Sequence, residues 1–218
     1  MSFMSASELY ASAPSIFPKA FTLENYRSIF QGNIPIFTFL KNTVIMALLI
    51  TAVQLAVSSI TAYALTGLDV PFKNLIFILI LGGMMIPFES TMLANYLFVA
   101  QNGLRNQYLG LILPFLLSPA GIFLMRQQFK SIPKEIYDAA AIDGCGPVRL
   151  FLRLLLPMSG NALASLAILS MITAWNQYIW PLLVTDKNEM RTVQVGISML
   201  QGLEFSDYTL VMAGIVLV

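Results

Sequence analysis

The sequence has no histidine and a single cysteine, Cys145. Without imidazole there is no histidine metal site and no side chain that titrates unperturbed near neutral pH. One cysteine excludes an internal disulfide and any cysteine cluster. Cys145 reads as a small loop residue rather than a nucleophile, and no serine or cysteine stands beside an evident base. Charge is also scarce: Asp, Glu, Lys and Arg make up 11% of 218 residues, against about 25% in a typical soluble domain. The 12 basic residues are scattered, and the net charge is +1. No run is dense enough to neutralise a phosphate backbone, so nucleic acid is not expected as a partner. The segment Met1–Tyr10 lacks the basic start and apolar core of a cleavable signal peptide.

What the chain has instead is apolar mass. Hydrophobic residues reach 57% and mean hydropathy is +0.76. So few charges could not cover that mass in water, and lipid is its natural solvent. The expected fold class is all-α, a polytopic membrane helix bundle in a single transmembrane domain over 1–218.

Apolar runs of about 20 residues, the length a bilayer requires, place spans at about 42–65, 72–93, 108–126, 154–184 and 208–218. The last covers only about half a hydrocarbon core at 1.5 Å per residue, so it is expected to be incomplete. Residues 1–40 read as a lead-in punctuated by Pro14, Pro18, Gly32 and Pro35, with one interfacial helix over 23–30 capped by Thr22. Pro114 and Pro119 predict kinks in the third span.

The loop 127–153 is the most charged stretch, and with its flank it gathers Arg126, Lys130, Lys134, Arg149 and Arg153. The excess of basic residues predicts a cytoplasmic loop. Alternation then places 67–73 inside and the lead-in, 101–107 and 186–207 outside. Lys19, Arg27 and Lys41 in the lead-in run against that rule. An external start without a signal peptide would be accounted for by a span upstream of residue 1.

Within the loop, Ser131 is expected to cap a short helix with Pro133 in its first turn. Ile132, Ile136, Ala139, Ala140 and Asp143 recur at helical spacing. Gly144-Cys145-Gly146-Pro147 then breaks the helix. Such a unit between two spans can dock in a partner's groove: Ala139–Ala141 permit close approach and flanking charges set register. The plainer reading is an ordinary amphipathic loop helix.

The segment resembles the hallmark of permease subunits of bacterial binding-protein-dependent ABC importers. That pattern is Glu-Ala-Ala, three residues, Gly, nine residues, Ile, one residue, Leu-Pro. Here Asp138-Ala139-Ala140, Gly144, Leu154, Leu156 and Pro157 stand at the matching spacing. Asp replaces Glu and Leu replaces Ile. Ala140–Gly144, Phe151, Trp175–Leu182, Thr192–Gly196 and Pro87-Phe88-Glu89 are similar to the carbohydrate branch, with glycerol-3-phosphate and maltose permeases the nearest kinds.

The resemblance implies a type I importer permease fold, here lacking the first span and the end of the last. It implies a multi-pass subunit of the bacterial inner membrane that forms the pathway for a sugar or sugar-like solute. The implied partners are an ATP-binding cassette ATPase dimer, a second and different permease, an extracytoplasmic solute-binding protein and the bilayer. This chain would bind no cofactor and catalyse no reaction; ATP and Mg would sit on the ATPase. Asp138, Ala139, Ala140 and Gly144 would contact that ATPase, with Glu135, Asp143 and Pro157 in support. Glu89, Asn95, Trp175, Asn176, Gln177 and Tyr178 are the pathway residues to consider. An ionisable group near the membrane is functional by default, the amides suit hydroxyl groups, and the aromatic rings can stack on a sugar. The plainer readings are a carboxylate in water or paired with Arg105 for Glu89, and an interfacial belt for the two Trp and Tyr178. A permease for another solute class, a secondary transporter or channel, and a membrane enzyme are the competing readings. No internal repeat supports the secondary transporter.

Overall fold

Proline and glycine stand at several of the helix ends of this chain. The computed structural model describes residues 2–9, 21–31, 35–201 and 208–217, and among them there is no strand. Pro14, Pro18, Lys19 and Gly32 lie outside the described residues, as do 202–207 of the expected outer connection. Two short helices come first, α1 (Ala6–Leu9) and α2 (Glu24–Gln31). Thr22 caps α2 as expected: its hydroxyl accepts the Glu24 amide at 3.1 Å.

Helix α3 (Ile36–Gly67) has 32 residues and is long and apolar enough to cross a membrane. It starts directly after Pro35, several residues before the expected start at Asn42. The remaining long apolar segments are bent pairs. Helices α4 (Lys73–Gly83) and α5 (Phe88–Gln101) meet at 91°. The expected 72–93 span is therefore interrupted. Gly82 and Gly83 end α4 in a tight turn, and Pro87 opens α5 with an extended backbone (ψ 140°).

The third segment comprises α6 (Tyr108–Ile112), a 3₁₀ turn (Leu113–Phe115) and α7 (Pro119–Ser131), bent by 54°. Pro119 takes the first position of α7, and the Ser118 hydroxyl accepts the Gly121 amide at 3.0 Å. Then come α8 (Lys134–Ile142), α9 (Pro147–Leu150), a π-helical turn (Phe151–Leu155), α10 (Leu156–Met158) and α11 (Gly160–Trp175). The segment before Ser159 and α11 meet at 77°. Pro157 has no amide hydrogen and its ring crowds the carbonyl four residues back. The backbone widens there, and Leu156 bonds to Phe151 instead. The 154–184 stretch, expected as one span, breaks at Ser159 and again at Asn176–Tyr178, before α12 (Ile179–Val184). Helices α13 (Val193–Gln201) and α14 (Tyr208–Val216) follow.

The chain divides into two compact units. The first holds Met1–Ile45, Gly103–Leu111 and Asn176–Val218. Its core includes Ile29, Ile36, Phe39, Val193 and Ala213. Two asparagines cross-link it. The Asn25 amide donates to the Ser2 and Met4 carbonyls, both at 2.8 Å, and its carbonyl accepts the Thr209 hydroxyl at 3.1 Å. The Asn42 amide donates to the Glu189 and Arg191 carbonyls at 2.8 and 3.0 Å, and Tyr108 donates to its carbonyl at 2.7 Å. Trp180 is fully buried, and its indole N–H donates to the Gly110 carbonyl at 3.1 Å. That geometry replaces the interfacial-belt reading for this residue.

The second unit holds Met46–Asn102 and Ile112–Trp175. One cluster joins Ala62, Tyr63, Met125, Phe129, Ile132, Leu155 and Leu166, with Ile136 and Tyr137 of α8 against it. A second joins Leu65, Phe77 and Ile122. Large apolar side chains on α4, among them Leu75, Ile78 and Leu79, remain exposed, as a lipid-facing or partner-facing surface requires.

Candidate functional site

Helix α8 is held on the second unit by one face. Ile136 and Tyr137 are half-buried and Ala140 is buried. The Tyr137 hydroxyl donates to the Phe129 carbonyl at 3.0 Å. Tyr63 donates to the Pro147 carbonyl at 3.0 Å, fastening the turn after the helix. Burial raises the Tyr137 phenol above its ordinary pKa, with a smaller contribution from Tyr63.

The opposite face is bare. Glu135, Asp138, Ala139, Ile142, Asp143 and Gly144 are all exposed, and Ile142 is 87% accessible. Glu135, Asp138, Ala139 and Ile142 follow one another at helical spacing. The result is a short acidic stripe around one large apolar side chain. Ala140 belongs to the inward face, where its small side chain lets α8 approach the cluster. Pro157 is exposed too, beyond the π turn it provokes.

Gly144 has a structural reason to be glycine. Its φ is +66°, in the left-handed region. The Cys145 amide donates to the Ala140 carbonyl at 2.9 Å, and the Gly144 amide to the Ala141 carbonyl at 3.1 Å. These are the two bonds of a Schellman C-cap, which needs a left-handed residue after the last helical turn. The expected cap at the other end is corrected. Ser131 closes α7, its hydroxyl donating to the Gln128 carbonyl at 2.7 Å. Pro133 forces Ile132 into an extended backbone (ψ 127°), so α8 begins after the proline without a side-chain cap.

Of the residues considered for a pathway, all but Asn95 lie at or beside helix breaks. In the second unit, Glu89 lies exposed in the first turn of α5, where the helix dipole favours a carboxylate. Asn95 is half-buried on the same helix, with its amide 3.4 Å from the Thr91 hydroxyl. Half-buried Trp175 ends α11. In the first unit, Asn176 and Gln177 form the break before α12, Asn176 exposed and Gln177 half-buried. The Tyr178 hydroxyl lies 2.9 Å from the Ser198 hydroxyl. Arg105, weighed as a partner for Glu89, ion-pairs with Asp186 at 3.1 Å.

Sequence reasoning missed the knot around Asp186. The Asn106 carbonyl accepts the Asp186 and Lys187 amides at 2.9 and 3.0 Å, and its amide donates to the Asp186 carboxylate. The Asn106 bond holds that carboxyl below its ordinary value, with Arg105 adding to it. Asn106 adopts φ +56°, and an Asn preceded by Gly103 in a short polar loop was the available signal. Among the described residues, no group of three or more acidic or cysteine side chains could hold a metal ion.

Comparison with known proteins agrees with this architecture. The arabinooligosaccharides transport system permease protein of Halalkalibacterium halodurans is 35% identical over 218 residues, covering 99% of this chain and 78% of that protein. The sn-glycerol-3-phosphate transport system permease protein of Escherichia coli K12 is 34% identical, covering 87% of this chain and 69% of its own length. A solved bacterial ABC transporter involved in importing the acidic polysaccharide alginate shares the fold, with a TM-score of 0.87 at 22% identity. That match covers 99% of this chain and 81% of the other. Residues 29–218 match the family described as the inner membrane component of binding-protein-dependent transport systems, and this chain belongs to that family.

Proposed function

We propose that this chain lines part of the translocation pathway for a carbohydrate or a similar polyhydroxylated or phosphorylated small solute, and that α8 couples the pathway to a cytoplasmic ATPase. The observation that carries the coupling role is the two-faced α8. Ile136, Tyr137 and Ala140 grip the membrane unit, while Glu135, Asp138, Ala139, Ile142 and Asp143 stand free for a partner. A rigid helix gripped on one side and docked on the other passes displacement to the spans that flank it. Gly144 ends that helix sharply enough for the chain to turn back toward the membrane.

Such coupling has an energetic floor. Moving a two-state pathway from 1:99 to 99:1 requires about 5.5 kcal/mol of differential binding. A stripe of three carboxylates around one exposed isoleucine can supply it only if the partner's groove desolvates Ile142 and pairs the acids. The solute class rests on relatives whose names give arabinooligosaccharides and glycerol 3-phosphate at nearly equal identity. The Asn176–Tyr178 break supports it chemically. Irregular backbone at membrane depth is tolerated where it lines a cavity, and amides beside aromatic rings suit hydroxylated solutes. By the same reading, the partners are an ATPase pair, a second permease and an external binding protein.

The test is uptake by the assembled importer in vesicles with its binding protein, using labelled arabinooligosaccharide, maltose and glycerol 3-phosphate. Asp138→Lys is expected to abolish uptake and ATPase co-purification while the chain still inserts. Asn176→Leu is expected to lower uptake without loss of the ATPase. Wild-type uptake by Asp138→Lys would remove the coupling role from α8. Failure to take up any of these solutes, with uptake of an amino acid or peptide instead, would overturn the solute class.

A further inference from the structure

The second unit carries a basic cavity whose lining includes none of the residues considered for the solute pathway. It has a volume of about 450 Å³ and lies where α3 ends, α4 begins and α7 passes into α8. Lys73, Arg126, Lys130 and Lys134 line it together with Asn74 and Tyr137, and no Asp or Glu does. Arg126 is only 5% exposed. Its guanidinium stands 3.9 Å from the Phe77 ring centre, and one nitrogen donates to the Asn74 carbonyl at 3.3 Å. Its Nε has no partner, and among the described residues no carboxylate pairs with the side chain.

A buried guanidinium normally has a counter-ion, because leaving a charge unpaired away from water is costly. Here three lysines add to the positive potential instead of relieving it. That set of donors suits an anion. A phosphate group fits, since a guanidinium and several ammonium groups provide the donors it accepts. We propose that this cavity binds a phosphate-bearing anion, an anionic phospholipid headgroup or free phosphate. The lipid source has a second feature in its favour. Helix α4 leaves the cavity carrying exposed Leu75, Ile78 and Leu79, an apolar track beside which acyl chains can lie. Basic pockets between membrane helices on the cytoplasmic side are where such headgroups bind. The site adjoins α8 through Lys134 and Tyr137, so occupancy would stiffen the seat of that helix whatever the solute.

The experiment uses the assembled importer in nanodiscs of phosphatidylcholine alone or mixed equally with phosphatidylglycerol. Native mass spectrometry counts retained phosphatidylglycerol, and thermal unfolding reads stability. Wild type is expected to retain the lipid and melt higher in the mixture. Lys130→Gln and Lys134→Gln, both at exposed positions, are each expected to reduce retention by about fivefold. Arg149→Gln, an exposed cation of the same loop that does not line the cavity, should leave retention unchanged. Arg126→Gln should abolish retention; if that buried variant fails to fold, the lysine variants decide. Equal stabilisation by inorganic phosphate in phosphatidylcholine, lost in the same variants, would support the site and assign it to free phosphate. Retention and stability unchanged in the double lysine variant would overturn the proposal. So would protection of Lys130 and Lys134 from amine reagents by the ATPase but by neither lipid nor phosphate, which would give the cavity to a protein partner.

Discussion

At the residue scale, Gly144 shows how a motif position follows from backbone geometry. An added Cβ there would meet no atom within 4 Å, so any cost of substitution is conformational. A side chain in the left-handed region costs about 1–2 kcal/mol. Gly144→Val is therefore expected to fray the end of α8 and weaken ATPase association measured by pull-down. Gly144→Asn, which tolerates that region, should retain most of it. A valine variant indistinguishable from wild type would separate the glycine from the helix end. Asp186 provides a second residue-level prediction. Its carboxyl is held below the ordinary 3.8 by Asn106, so it stabilises the fold while ionised. That contribution is complete above the unfolded value and is lost as the pH falls through the lower folded value. Asp186→Asn should lower the unfolding midpoint most above about pH 5, and the difference should shrink on acidification. A difference that widens toward low pH would contradict the assignment.

At the element scale, α8 depends on two phenols. Tyr137 and Tyr63 each donate one hydrogen bond to a backbone carbonyl at 3.0 Å, one at each end of the docking segment. Replacing both with phenylalanine keeps the packing of the rings and removes only those bonds, at about 1 kcal/mol each. The expected outcome is a folded importer whose ATP hydrolysis continues with less solute moved per ATP, measured by parallel phosphate-release and uptake assays in vesicles. Unchanged stoichiometry would show that the apolar cluster alone transmits the motion. The existence of α8 was legible in the sequence, from helical spacing at Ile136, Ala139 and Ala140 and from Gly144. Its start was not, because Ser131 is a good cap in isolation, yet Pro133 makes the intervening Ile132 extended and hands the serine to α7. The inward burial of Ala140 was equally hidden. Spacing gives the faces of a helix but not which face the rest of the chain covers.

For the whole molecule, the prolines foretold the 54° bend in the third apolar segment, but apolar runs alone did not show the bend near Ser159. Continuous hydropathy over 154–184 gave one span because no charged residue interrupts it around Ser159 and Gly160. The bend comes from Pro157 and from a backbone geometry that composition does not record. Orientation is the remaining whole-molecule property, and the lone cysteine offers a direct reading of it. If the basic loop is cytoplasmic, Cys145, partly accessible after α8, faces the cell interior. A membrane-impermeant maleimide should leave it unlabelled in intact spheroplasts and label it in inverted vesicles stripped of ATPase. Cys145→Ser combined with Asn188→Cys should reverse that pattern, since Asn188 lies in the connection expected outside. Labelling of Cys145 from outside would invert the whole assignment. It would put α8 beyond the reach of a cytoplasmic ATPase, leaving an outer partner as the only one its acidic face could meet.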